Sequence, residues 1–427
     1  VSSAAEPVRN RGVVVATAGT GINLALGILY AWSVLKGGIP ESWHWSAADK
    51  ALPYSVACLV FAMAMIPAGA LQDKWGPRRV ASVGGISTGL GCIVASLGGS
   101  SLTAFVLGFG VLVGIGMGFG YAAATPPAVK WFPPQKTGLV AGLVVAGFGL
   151  ASVYIAPLAT KLLDVFARPN AAGVMEKGIS STMLVFGVGF LVVVTGLAQL
   201  LVNPPPGFVA AAPAAKAAAK PKVADQSWRE ILKTPQFYVL WVMFFAGSAA
   251  GLTYISVAQG LGKKALGEWA FLAVVVLSVG NAGGRVLAGF VSDRIGRPWT
   301  LFGAFVIQGL AVLALYLEKG GADWPALMPI VFLIGANYGA NLALFPAATK
   351  EFFGLKNFGM NYGVVFSAWG AAGLVMPWAN GKITDMTGSG NLTYFVILGL
   401  LVVGALLTFV SRKLAAVRPE PPVGSPA

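Results

Sequence analysis

Apolar residues in this chain come in long unbroken runs, separated by short polar stretches that hold most of the charge. Twelve runs have about the 20 residues that a helix needs to cross the bilayer hydrocarbon. They fall at 13–35, 50–71, 79–98, 102–128, 137–163, 180–202, 235–260, 268–291, 299–317, 325–349, 360–383 and 391–411. A continuous apolar run suits a helix, whereas a barrel strand would alternate apolar and polar positions. The pattern therefore predicts an all-α integral membrane protein. The first run is too long for a signal-peptide core and reads as a retained helix.

One polar stretch is wider than the rest. It spans 203–233, opens with Pro204-Pro205-Pro206 and continues as an Ala/Lys/Pro-rich segment over 210–224. So little apolar surface predicts a flexible linker. It divides the chain into a six-span bundle over 1–202 and a second six-span bundle over 234–427.

Composition agrees with the pattern. Of the 427 residues, 56% are hydrophobic and 10% charged, against about 25% charged in a soluble domain. The net charge of +14 would suit nucleic-acid binding in a soluble protein. Here the basic residues sit in loops beside apolar runs, as the positive-inside rule requires, so no nucleic acid is expected. With the N-terminus inside, 19 of the 29 Lys/Arg fall on the inner side and 9 on the outer, with Arg285 the remaining one. Both termini are thus predicted to be cytoplasmic in a multi-pass protein of the cell inner membrane. Cys58 and Cys92 both lie within apolar runs and read as packing residues. His44 is the single histidine. No metal site, cofactor or His-based enzyme chemistry is expected.

The two halves repeat. Gly69-Ala70-Leu71-Gln72-Asp73-Lys74-Trp75-Gly76-Pro77-Arg78 matches Gly289-Phe290-Val291-Ser292-Asp293-Arg294-Ile295-Gly296-Arg297. Phe132 and Phe352 share the offset of Asp73 and Asp293, and Pro127 and Pro346 nearly share it. Such a repeat points to duplication of a six-helix unit. In each copy glycine permits a tight turn, and the aspartate can meet a nearby helix N-terminus or arginine. A solvated loop of mixed charge would explain one copy, but two copies favour a mechanical role. Asp73, Arg78, Asp293 and Arg297 are therefore candidate gating residues that latch the inner side in an outward-open state.

Arg285 is the one charge well inside an apolar run. At a helix centre such a charge costs at least about 2.5–3.5 kcal/mol on insertion scales. Its planar fork matches a carboxylate, and Asn281, four residues earlier, lies on the same helix face. Together they suit a small hydroxy or keto acid. The competing reading is an arginine snorkelling towards the helix end. Tyr121, Tyr338, Asn341 and Tyr30 are further polar handles inside spans, each explicable singly by packing. Trp32 and Trp369 either wall a site or pack. Lys382 and Asp385, three apart, read as an outer ion pair, either a proton relay and gate or plain interfacial charges.

These features together resemble the major facilitator superfamily. Leu29-Tyr30-Ala31-Trp32-Ser33-Val34 is similar to a signature of its oxalate/formate antiporter family. Leu232-Lys233-Thr234-Pro235-Gln236-Phe237-Tyr238, Lys130-Trp131-Phe132-Pro133 and Asn361-Tyr362-Gly363 resemble that family too. Its members are relatives of the proton-linked monocarboxylate transporters. The resemblance implies two six-helix bundles around a central site, with Arg285 taking the substrate carboxylate and the spans of Tyr121, Tyr338 and Asn341 lining the cavity. Two departures narrow the expectation. Many eukaryotic relatives carry a titratable aspartate where this chain has Asn281. Oxalate carriers use a lysine where this chain has Trp369, so a single cavity cation favours a monoanion. The expectation is a secondary transporter, not an enzyme. It moves a small monocarboxylate such as L-lactate or pyruvate with a proton and works as a monomer in the lipid bilayer. An oxalate/formate-type antiporter is the alternative.

Overall fold

The computed structural model describes residues 10–133, 136–205, 208, 225–319, 323–354 and 356–416. Among these residues, twelve helices are long and apolar enough to cross a membrane. They are α1 (Gly12–Gly37), α2 (Ala47–Trp75), α3 (Pro77–Leu97), α4 (Leu102–Lys130), α5 (Gly138–Val165) and α6 (Ile179–Ala198). The second six are α7 (Pro235–Trp269), α8 (Phe271–Ile295), α9 (Arg297–Leu317), α10 (Trp324–Phe353), α11 (Phe358–Thr387) and α12 (Asn391–Leu414). Each predicted run has its helix.

Several helices run past the apolar stretch that marks them, because polar residues cap and extend their ends. At the start of α2, Ser46 Oγ accepts from Asp49 N at 3.1 Å while Asp49 Oδ2 accepts from Ser46 N at 3.0 Å. This reciprocal box carries the helix back to Ala47. Since the spans alternate in direction, residue 10, residues 203–205 and the end of α12 share one face, the linker face. The other is the distal face.

The repeated turn has one geometry in both halves. Gly76 has φ 81° and ψ 161°, and Gly296 has φ 87° and ψ 157°. Each glycine ends one helix and begins the next with no intervening loop. That needs a positive φ, which a side chain would resist. Gly76 N donates to Gln72 O and Gly296 N to Ser292 O, both at 3.0 Å.

The polar stretch between the halves departs in part from a loose linker. Residues 210–224 lie outside the described residues. Further along, Ser227 N donates to Glu230 Oε2 at 2.6 Å, closing a box on the short helix Trp228–Ile231. That bond holds the Glu230 carboxyl below the usual carboxylate range. Gln226 N donates to Phe353 O at 3.1 Å, and Gln226 O accepts from Asn357 Nδ2 at 3.0 Å and Asn361 Nδ2 at 2.9 Å. Residues 225–233 are thereby bolted to the α10–α11 turn.

Hydrogen bonds that join the halves among the described residues gather at mid-depth and towards the distal end. They include Tyr54 Oη to Leu252 O at 3.2 Å, Lys36 Nζ to Ser256 O at 3.5 Å, and Asp385 to the start of α2.

Candidate functional site

The site begins with a close approach of two helices. A Cβ on Gly284 would lie 1.9 Å from Ala336 O, one on Gly335 2.0 Å from Leu277 O, and one on Gly339 2.0 Å from Asn281 O. α8 and α10 therefore touch backbone to backbone, as small residues permit in membrane helices. This contact fixes the face of α8 that carries Asn281 and Arg285.

Asn281 is fully buried, and its Oδ1 accepts from Arg285 Nε at 3.2 Å. The bond steadies the guanidinium. Arg285 Nη1 donates to Val145 O of α5, in the other half, at 3.2 Å. The Tyr121 hydroxyl approaches the guanidinium, and those of Tyr30 and Tyr362 lie within its electrostatic reach. Thus α1, α4, α5, α8 and α11 converge on one cation.

A chain of hydrogen bonds crosses between the halves beside this cation. Trp369 Nε1 donates to Tyr338 Oη at 2.8 Å, and Tyr338 Oη shares a hydrogen bond with Tyr30 Oη at 3.0 Å. Around this chain stand aromatic rings. Phe148 meets Tyr30 at 5.2 Å and Tyr121 at 5.4 Å between centroids, and Phe61 meets Trp369 at 5.3 Å. Phe366 stacks on Trp369 at 5.0 Å. A cation in such apolar surroundings attracts an anion more strongly than it would in water. Among the described residues no cluster of His, Cys, Asp and Glu could hold a metal.

Not every candidate joins this group. Asn341 packs against the α7 backbone: a Cβ on Gly247 would be 2.5 Å from its Nδ2, which donates to Asn337 O at 3.0 Å. Trp32 packs on Phe109 and donates to Lys50 O at 3.1 Å, away from Arg285. Lys382 and Asp385 form no ion pair with each other. Lys382 Nζ lies 6.0 Å from the Trp378 ring centre, and Asp385 reaches the N-terminus of α2 instead. The outer ion pair expected from their spacing is therefore replaced by a contact between the halves. At the linker face, Arg297 bonds Asp293 at 2.8 Å and Glu351 at 3.3 Å, all within one half. Asp73 and Arg78 are exposed and form no ion pair among the described residues.

Sequence reasoning missed Phe61, Phe148 and Phe366, since nothing separates a chamber-lining phenylalanine from a packing one inside an apolar run. The repeat offset held a usable signal for Phe61, which stands in the register of Asn281. Lys36 was also missed. It ends α1 and lines a distal cavity of about 710 Å³ between the halves, along with Lys50, Lys177, Lys263 and Glu268.

Comparison with known proteins places this arrangement. The family model described as Major Facilitator Superfamily matches residues 12–317 and again 267–427. The chain belongs to that superfamily and is a multi-pass membrane transporter, not an enzyme. It is 30% identical over 401 residues to the oxalate:formate antiporter of Oxalobacter formigenes, covering 91% of this chain and 88% of that one. It is 27% identical to human monocarboxylate transporter 11, covering 93% and 82%. The fold is shared with a bacterial homolog of the human lysosomal transporter Spinster, solved in an inward-facing and occupied conformation. That match has a TM-score of 0.75 and 15% identity over 99% of this chain and 100% of that one.

Proposed function

We propose that this protein moves small monocarboxylates of the L-lactate or pyruvate kind across the cell inner membrane together with a proton. It would act as a monomer, with the linker face cytoplasmic. The observation that carries the reading is Arg285, braced by Asn281 among aromatic rings where the halves meet. A carboxylate displaces the Val145 carbonyl as acceptor for the guanidinium and gains a second donor from the Tyr121 hydroxyl. Asn281 Nδ2 meets only the nearby Tyr30 hydroxyl, without a well-formed hydrogen bond, and is placed to serve a substrate hydroxyl or keto oxygen. The halves then rock, exposing the site to either face in turn. With Asn281 unable to titrate and no acid beside it among the described residues, the proton travels with the substrate.

The names of the two relatives support an organic-anion cargo. The oxalate:formate antiporter supports a second reading, anion exchange. Against a dianion stands Trp369, an indole where a second cation would be needed. The test is uptake of labelled L-lactate into proteoliposomes under an inward proton gradient, with no internal anion. Gradient-driven accumulation that is lost in Arg285→Ala supports the proposal. Uptake only with an internal counter-anion would replace symport by exchange. Uptake unaltered in a folded Arg285→Ala protein would remove Arg285 from the site.

A further inference from the structure

The N-terminus of α2 is capped by two different pieces of the chain. The first turn of any helix leaves backbone N–H groups without intrahelical partners. In α2 the local box serves the third position, through Ser46 Oγ and Asp49 N. It does not reach the first two. Those are Ala47 N and Ala48 N, and both donate to Asp385 at the distal end of α11, at 2.7 Å to Oδ1 and 3.0 Å to Oδ2. Asp385 belongs to the other half of the molecule. The backbones meet beside it, since a Cβ on Gly381 would lie 2.6 Å from Ala48 Cα and 2.7 Å from Ala48 N.

We infer that Asp385 is a distal latch: a carboxylate on one half that completes a helix cap on the other, and so holds the distal gate shut. The chemistry suits a gate. Both bonds join a full negative charge to backbone donors at the positive end of a 29-residue helix. Both must break together when α2 and α11 part. Water then takes over the two N–H groups, while the local box keeps the helix from fraying. The latch can therefore open without unwinding α2.

The linker face offers the reciprocal arrangement. There α11 begins at Phe358 with no side chain capping it, and α2 ends beside the exposed, unpaired Asp73. One helix pair thus carries an aspartate at each end, on opposite partners. Asp385 is engaged where α2 and α11 meet at the distal face, and Asp73 forms no ion pair among the described residues.

The transport consequence rests on the function proposed above, but the latch can be tested without it. Spin labels at Lys161 and Lys264 report the distal opening, and labels at Arg79 and Met360 report the linker-face opening. All four residues are exposed, and native Cys58 and Cys92 are buried. Electron–electron distance distributions are measured on the full-length protein in lipid nanodiscs. In Asp385→Ala the ratio of distal-open to distal-closed molecules rises about tenfold, as expected for losing two bonds that solvent weakens at an exposed carboxylate, and the linker-face distance shortens in step. Lys382→Ala leaves both distributions as in the wild type. The latch is overturned if Asp385→Ala leaves the distal distribution unchanged, or if Lys382→Ala shifts it equally. Failure to transport lactate would bear on the cargo and leave this result intact.

Discussion

The two halves share a turn but not its electrostatics. In the second half, Arg297 sits between Asp293 and Glu351, so the turn closes on itself. In the first half, the register of Glu351, 220 positions back, holds Trp131, which is buried and donates to Val202 O at 2.8 Å. Arg78 has no such acid to meet, and Asp73 stays exposed. The same asymmetry runs through the site. Asn281 and Arg285 of α8 correspond, at that offset, to Phe61 and Met65 of α2. At these two positions the second half places an amide and a guanidinium, where the first places a ring and a thioether. Under the function proposed above, a duplicated scaffold divides its work: the second half would grip, and the first carries an aspartate that forms no ion pair among the described residues.

Six substitutions would break or sharpen this division. The largest effect belongs to Arg285→Lys, which keeps the charge and loses the planar fork. Lactate uptake should fall about 100-fold in kcat/KM, equivalent to about 2.7 kcal/mol. A much smaller loss would mean that charge alone suffices. Asn281→Ala removes the brace on Nε and should cost about tenfold. Phe61→Leu, in the matching register of the gripping residue, should cost no more than about threefold if it contributes only apolar wall. Reversal of that order would show the first half to be the gripping one.

Stability separates the two turns. Arg297→Ala removes both ion pairs and leaves two carboxylates facing solvent, and should destabilise the protein by about 1 kcal/mol. Arg78→Ala should stay within about 0.5 kcal/mol. Thermal unfolding of both variants in one detergent decides the matter, and equal shifts would erase the contrast. The smallest effect is that of Asp73→Asn. It should leave unfolding unchanged, alter the transport rate by about threefold, and shift the distance distributions towards the distal-closed form. If rate and conformational balance both stay as in the wild type, Asp73 is only a solvated charge.

Much of the architecture was legible because membrane helices announce themselves by length and continuity. The same was true of Arg285, since a guanidinium in an apolar run is conspicuous against its cost. Asn281 followed from helical spacing alone. What stayed hidden depends on which face a helix turns inward, and a run apolar on all sides does not encode that. Asn341 looked as eligible as Tyr338, yet its amide packs on α7 while the Tyr338 hydroxyl bridges the halves. Spacing suggested that Lys382 and Asp385 would pair along their own helix. The carboxylate found stronger donors across the interface, at a helix end that sequence could not place beside it. Asp293 and Arg297 resembled Asp73 and Arg78 closely in sequence, but Arg297 stands four residues after its aspartate and Arg78 five after its own, and Glu351 on α10 gives Arg297 a second carboxylate.

The glycine contact between α8 and α10 has a consequence for how force is transmitted. Two helices whose backbones touch cannot slide or tilt against each other by even a methyl's width. The guanidinium therefore has no hinge of its own and rides on a solid block. A ligand held chiefly by such a block travels with it as cargo and barely loads the joint between the halves. Only differential affinity can tilt a two-state balance. That bias must then come from the bearing surface opposite, the Val145 carbonyl and the rings of Phe61 and Phe148. Side chains without charge would set the preference for one face over the other.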